Sequence, residues 1–131
     1  TLQQGVDFVI QCFQSMIGGE LFVPKIPSYR ILDVVKAIAP KAKIKMIGIR
    51  PGEKIHEEMI TLSDSMNTIE FDDYYVILNN VKTYLAKNSK YLKSKKKKFI
   101  KIKIPFSYNS HNNKNFLSIS QLKQLISMIN K

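Results

Sequence analysis

The sequence predicts an α/β fold in which short strands alternate with helices. Its 131 residues, 44% hydrophobic and 24% charged, have the length and composition of one globular domain or part of one. Apolar residues recur at three- and four-residue intervals in several segments, which is the helical period. Short apolar runs bounded by Gly or Pro separate these segments and predict strands.

The first predicted elements are a helix and a short strand. Thr1 and Gln4 have the spacing of a capping box, and the helical pattern that follows ends near Gly18 and Gly19. The apolar run 20–23 then predicts a strand that stops at Pro24.

A second helix and strand complete a predicted βαβ unit. Ser28 is placed to cap a helix over residues 29–39, and the apolar run 44–49 predicts the next strand. A crossover of this length suits two parallel strands, so we expect the strands at 20–23 and 44–49 to be parallel.

The segment 47–59, IGIRPGEKIHEEM, predicts a strand end, a tight turn and a helix start. Pro51 keeps Arg50 extended, Gly52 permits the turn, and a helix is expected from Glu53. An Arg beside a helix N-terminus is suited to receive a phosphate. The alternative is a structural corner with an Arg50–Glu53 surface ion pair, which spacing alone favours.

Residues 69–77 alternate as a half-buried strand is expected to, after a loop around Asp64. Near the end of the sequence, Ser118 and Gln121 repeat the capping-box spacing before a last amphipathic helix.

Segment 79–103 is predicted to be the least regular part of the chain. Residues 82–103 hold ten lysines and no Asp or Glu, whereas the rest of the chain has eleven basic and ten acidic residues, so the formal charge of +11 is a local feature. A lysine run is typically a solvated loop, and an edge strand guarded by lysines is expected after it.

Composition argues against several classes of protein. The single cysteine, Cys12, allows no internal disulfide and fits a reducing, cytoplasmic setting. No apolar run is long enough for a membrane span, and no secretion signal is apparent. The sequence opens inside a helical pattern without Met, which indicates a piece of a longer chain.

The candidate metal-binding and catalytic motifs in the sequence are incomplete. His56-Glu57 lacks the second His of a zinc-protease motif, since that position is Ile60, and His111 has no visible companion in the sequence. Asp72 and Asp73 are adjacent and are expected in turn or surface roles rather than as paired catalytic carboxylates. The pair Tyr91 and Lys95 fits Tyr-x-x-x-Lys only because it lies in the lysine run. No catalytic, cofactor-binding or metal residue is therefore predicted.

Three ordered blocks resemble one enzyme family: GGELFVPKIPS at 18–28, IGIRPGEKIHE at 47–57 and EFDDYYVI at 70–77. The match extends from TLQQGVDFV at 1–9 and resumes at FSYNSHNN, 106–113, and FLS, 116–118. Together they resemble the C-terminal part of inverting UDP-N-acetylglucosamine 4,6-dehydratases, which open the pseudaminic-acid pathway. These are extended short-chain dehydrogenase/reductases.

The resemblance implies the C-terminal, substrate-binding portion of a Rossmann-type fold, with the N-terminal cofactor half absent. The expected organisation is a nucleotide-sugar-binding region at 1–78, a divergent lysine-rich connection at 79–105, and a tail loop and helix at 106–131.

The resemblance also implies site residues and chemistry. Arg50 would grip the UDP pyrophosphate, Glu53 would orient Arg50 or bind a sugar or ribose hydroxyl, and Asn113 would contact the substrate. The family oxidises C4 with NADP, eliminates water across C5 and C6, and returns hydride to C6 with inversion at C5. NADP and the catalytic Tyr and Lys would lie in the missing half, so this chain alone is expected to be inactive and to bind no cofactor. The full-length enzyme is expected to be a homo-oligomer.

A second hypothesis is a small basic nucleic-acid-binding module that uses residues 82–103. It is weaker because this segment has no Arg and its aromatic residues form no recognisable binding motif.

Overall fold

The computed structural model describes residues 1–94 and 98–129. Its elements, in chain order, are α1 (Leu2–Ser15), β1 (Leu21–Pro24), α2 (Ile31–Ile38), β2 (Glu58–Ile60), α3 (Leu62–Ser65), β3 (Thr68–Glu70), β4 (Tyr74–Ile77), α4 (Val81–Ser94), β5 (Ile100–Lys101), β6 (Tyr108–Asn109) and α5 (Ile119–Ile129). Strands β2 and β6 pair as a two-stranded sheet, and the other four form a sheet in the order β1-β4-β3-β5.

The chain divides into two compact units. One contains residues 26–58 and 109–129 together with Thr1, and the other contains Leu2–Lys25 and Met59–Tyr108. The four-stranded sheet belongs to the second unit, and the helices α2 and α5 belong to the first.

The sheet of the second unit is buried on both faces because its central strand alternates between two apolar clusters. Tyr74 and Val76 of β4 belong to one cluster, with Ile69, Phe71 and Leu78; Phe8 of α1 and Val81 and Tyr84 of α4 pack against it. Tyr75 and Ile77 of β4 face the other cluster, Val23, Ile60 and Tyr108. This two-residue period places successive side chains on opposite faces.

The first unit joins its two chain segments through helices and a short bridge. Helix α2 packs against α5. Ser28 forms an isolated parallel bridge with Phe116, in which the Ser28 amide donates to the Asn115 carbonyl at 2.8 Å and the Leu117 amide donates to the Ser28 carbonyl at 2.8 Å. The Arg30 guanidinium lies 5.6 Å from the centre of the Phe116 ring.

The predicted parallel βαβ unit is wrong. Residues 44–49 form no strand, and β1 instead pairs antiparallel with β4. Gly48 has a φ of +81°, which interrupts an extended run, and Met46 is 82% exposed. A strand requires a neighbour to bond its backbone, and residues 44–49 make no ladder with any described strand.

The helix predicted from Glu53 is also wrong. Residues 53–57 are irregular, and the chain then enters β2. Helix propensity over so few residues is weak unless an apolar face is packed, and Ile55 is 73% exposed.

The segment predicted as one strand over 69–77 is a hairpin. Strands β3 and β4 pair antiparallel, and Phe71 donates its amide to the Tyr74 carbonyl at 2.9 Å across the connection. Asp72 and Asp73 lie in that connection, in agreement with the turn role predicted for them. The predicted loop around Asp64 is instead helix α3, whose N-cap Thr61 accepts from the Asp64 amide at 3.2 Å.

The lysine-rich segment is more regular than predicted. Residues 81–94 form α4, because Val81 and Tyr84 supply an apolar stripe at helical spacing and Asn80 accepts from the Thr83 amide at the helix start. The expected edge strand after the run is confirmed as β5, which pairs with β3 at the end of the four-stranded sheet. The run 93–98 lies partly outside the described residues, which omit 95–97.

Two of the three predicted helix caps have opposite outcomes. At α5, Ser118 and Gln121 form the predicted capping box: the Ser118 amide donates to Gln121 Oε1 at 2.8 Å, and the Gln121 amide donates to Ser118 Oγ at 3.3 Å. Ser28 does not cap α2. The N-cap of that helix is Arg30, without a side-chain bond, because the Ser28 hydroxyl accepts from Asn113 instead.

Candidate functional site

Arg50 and Glu53 are the two ends of a tight turn. The Glu53 amide donates to the Arg50 carbonyl at 3.1 Å, and the two residues between them are Pro51 and Gly52, the latter at φ +84°. Proline at the second position and a positive φ at the third are the signature of a type II turn. The predicted tight turn is therefore confirmed, although no helix follows it.

The Glu53 carboxylate holds Arg50 at two points. Its Oε2 accepts from the Arg50 amide at 2.9 Å, and its Oε1 lies 3.0 Å from Arg50 Nε. The Arg50 side chain nevertheless remains 74% exposed. Binding through the inner nitrogen fixes the direction of the guanidinium while the side chain stays open to an incoming anion.

An open depression of about 770 Å³ lies beside this turn. The turn residues Gly52 and Glu53 line it together with the apolar side chains of Ile31, Ile49 and Ile55. Lys54 and Glu57 also line it, so the depression combines apolar walls with charges of both signs. Such a depression can take a ligand that has both an apolar and a polar part.

Asn113 is a bridge between two chain segments. Its Nδ2 donates to the Ile26 carbonyl at 2.8 Å and to the Ser28 hydroxyl at 3.0 Å, and its Oδ1 accepts from the Asn115 amide at 3.0 Å. These bonds hold the tail loop against residues 26–28. No contact among the described residues joins Asn113 to Arg50 or Glu53, so its substrate contact stays a prediction.

The structure also brings together two residues that the sequence left apart. The rings of His56 and His111 have centroids 4.7 Å from each other. They are 55 positions apart in the chain, and no spacing rule relates them. Within residues 1–94 and 98–129, the surroundings of this pair included, no group of three or more His, Cys, Asp or Glu is placed to hold a metal ion.

The comparison with the sequence models of known families identifies a family for this chain. The sequence model of the family described as "Polysaccharide biosynthesis protein" matches residues 1–79, which is more than half of the chain. This chain belongs to that polysaccharide biosynthesis protein family.

Two of the matched relatives are named as enzymes of UDP-sugars. The chain is 44% identical over 126 residues to the UDP-N-acetylglucosamine 4,6-dehydratase (inverting) of Campylobacter jejuni serotype O:2, covering 96% of this chain and 38% of the relative. It is 29% identical over 140 residues to the UDP-glucose 4-epimerase of Rickettsia canadensis, covering 99% of this chain and 38% of the relative. The chain therefore spans well under half the length of the curated relatives it matches.

A solved structure supports the predicted fold. The X-ray structure of Pen from Bacillus thuringiensis matches with a TM-score of 0.75 and 26% identity, over 99% of this chain and 37% of that chain. The α/β fold is thus that of a portion of a short-chain dehydrogenase/reductase, as predicted. The comparisons give no support to the nucleic-acid hypothesis. None of the helices in the described part of the chain combines the length and apolarity needed to cross a bilayer.

Proposed function

We propose that this chain is the C-terminal, nucleotide-sugar-binding part of an inverting UDP-N-acetylglucosamine 4,6-dehydratase, a lyase. The observation that carries the proposal is its 44% identity, along 96% of its length, to a protein of that name. We extend it to a place in pseudaminic-acid synthesis and to a homo-oligomeric complete enzyme, as the family resemblance implies.

In this proposal Arg50 binds the pyrophosphate of the UDP-sugar. The type II turn and the Glu53 carboxylate hold the guanidinium before substrate arrives, so little side-chain freedom is lost on binding. The exposed guanidinium offers two parallel donors to phosphate oxygens, which a lysine ammonium cannot do. Glu53 acts by orienting Arg50. No helix begins at Glu53, so a helix N-terminus contributes nothing to this proposed phosphate contact.

The proposed role of Asn113 is a polar contact to the substrate through the tail loop. Its Nδ2 already serves Ile26 and Ser28, so the acceptor Oδ1 has the remaining capacity for a substrate hydroxyl. The same bonds keep the loop in place whether or not substrate is bound.

The redox chemistry is proposed to lie outside this chain. NADP, when bound to the complete enzyme, would accept and return the hydride, and an upstream Tyr-x-x-x-Lys pair would move the proton. This sequence has one Tyr-x-x-x-Lys match, Tyr91 and Lys95, and Lys95 lies outside the described residues. The residues of this chain are proposed to bind the substrate.

A chimera tests the proposal. This chain would replace the corresponding C-terminal part of the Campylobacter jejuni dehydratase, and conversion of UDP-N-acetylglucosamine to the 4-keto product would be followed by mass spectrometry. We expect turnover by the chimera and none by this chain alone. A chimera that binds NADP and folds by circular dichroism, yet forms no product, would contradict the proposal.

The role of Arg50 is tested in the same chimera by calorimetric titration with UDP. Arg50→Lys should weaken UDP binding about tenfold to a hundredfold, since a hydrogen bond to a charged group contributes about 1.5–3 kcal/mol. Arg30→Lys is the matched control, because it makes the same chemical change at an arginine that contacts the Phe116 ring. Equal losses in the two variants, or none at Arg50, would refute the assignment.

A further inference from the structure

The histidine pair is a second chemical feature of the first unit, separate from the Arg50 turn. His56 follows the turn region and His111 lies in the tail loop, and both side chains are exposed. Their ring planes make an angle of 48°. Two imidazoles this close to each other, open to solvent, can serve one ligand together.

The backbone holds the two rings in place. The Ser110 amide donates to the Glu57 carbonyl at 2.9 Å, so the residues that follow His56 and precede His111 are bonded directly. The His111 amide donates to Asn109 Oδ1 at 3.0 Å, which fixes the turn of the tail loop. The positions of the two histidines are therefore determined by hydrogen bonds of the backbone around them and not by a bond between their side chains.

We propose that His56 and His111 form a binding site for a divalent transition-metal ion such as Zn²⁺. Imidazole nitrogen is a preferred ligand of zinc, copper and nickel. With a Zn–N distance of about 2.0–2.1 Å, two imidazoles on one tetrahedral ion have ring centroids about 5.2 Å apart. The observed 4.7 Å is within about half an ångström of that separation, so the spacing of the two rings is compatible with one shared ion.

Ser110 supports the site by orienting His56. Its hydroxyl oxygen accepts from the Glu57 amide at 3.1 Å and lies 3.3 Å from His56 Nδ1. A hydroxyl oxygen has a second lone pair, so it can also accept from an Nδ1–H group of His56. That tautomer leaves the Nε2 lone pair of His56 for the metal, as in metal sites where a second bond fixes the ligating ring.

The two imidazoles would fill two coordination positions of the ion. Water or another oxygen ligand would complete the tetrahedral coordination. The site depends on neither Arg50 nor the proposed dehydratase function.

The test is calorimetric titration of ZnCl₂ into the chain without a polyhistidine tag. One ion should bind per chain, and His56→Gln or His111→Gln should remove this binding. Ser110→Ala should weaken it about tenfold, the lower end of the effect of supporting residues at metal sites. Cys12→Ser is the matched control, because it removes the one thiol of the chain and should leave binding unchanged.

A second measurement needs no variant. The chain has two histidines, so its NMR spectrum has two sets of imidazole signals, and a small amount of Cu²⁺ should broaden both sets together. Broadening of one set alone, absence of Zn²⁺ binding, binding that survives the His→Gln changes, or binding that is lost in Cys12→Ser would overturn the proposal.

Discussion

Replacing Glu20 by Gln is expected to destabilise the second unit. Glu20 closes the turn after α1: its Oε1 accepts from the Ile17 amide at 2.8 Å and from the Tyr84 hydroxyl at 2.9 Å, and its Oε2 accepts from the Gly18 amide at 2.6 Å. Gln keeps one acceptor oxygen but presents an NH₂ donor to the other partner. Because a hydrogen bond to a charged group contributes about 1.5–3 kcal/mol, the free energy of unfolding should fall by about that amount near neutral pH.

The loss should depend on pH in a direction fixed by the structure. Burial by itself would raise the pKa of Glu20, but the bonds from Ile17, Gly18 and Tyr84 outweigh it, and the pKa lies below its ordinary value of 4.5. A carboxyl with a lowered folded pKa stabilises the protein above its unfolded pKa. The contribution of Glu20 should therefore be complete well above pH 4.5 and disappear as the pH falls through the folded pKa.

The assay is urea unfolding followed by circular dichroism, from about pH 7 to about pH 3.5, where a lowered carboxyl pKa has its effect. Amide exchange at Val76, in the central strand, reports on the second unit alone. Glu58→Gln, an exposed carboxylate, is the control. The difference between the parent chain and Glu20→Gln should shrink on acidification. A difference that is absent at neutral pH, or that grows in acid, would refute the argument.

Three further outcomes follow from the core, a helix cap and a buried phenol. Ile69 is 0% exposed, so Ile69→Val should lower the free energy of unfolding by about 0.5–1.5 kcal/mol and Ile69→Ala by about 2–5 kcal/mol in urea titrations. Ser118→Ala should cost about 1 kcal/mol and reduce the helical circular dichroism signal, because it removes half of the α5 capping box; an unchanged signal would count against the cap. Burial, the Glu70 charge and Tyr108 raise the pKa of Tyr75 above 10.0. Ultraviolet titration should detect a late-ionising phenol that Glu70→Gln shifts partly back, and identical curves would contradict this.

The candidate site was predictable to the extent that it is local. Arg50, Pro51, Gly52 and Glu53 are consecutive, and steric limits on the proline and glycine determine the turn without outside help. The proposed function followed from ordered motifs for the same reason, since a motif is read along the sequence. The pairing of His56 with His111 was not predictable, because no local rule relates positions in separate segments.

The sequence by itself determined the features that are encoded within a few residues. The α5 capping box, the helix α2 and the edge strand after the lysine run all follow from short-range spacing and propensity. A signal for α4 was present in the spacing of Val81 and Tyr84, but the lysine content led to a prediction of loop.

Only the tertiary structure decided which apolar runs became strands and how they pair. Residues 44–49 are as apolar as many strands, but a strand is stable only when a neighbour bonds its backbone and a core covers its side chains. β1 gained that neighbour in β4, about 50 residues further along the chain, and its antiparallel direction was set by the partner. Propensity describes one segment at a time, whereas strand pairing is a property of two.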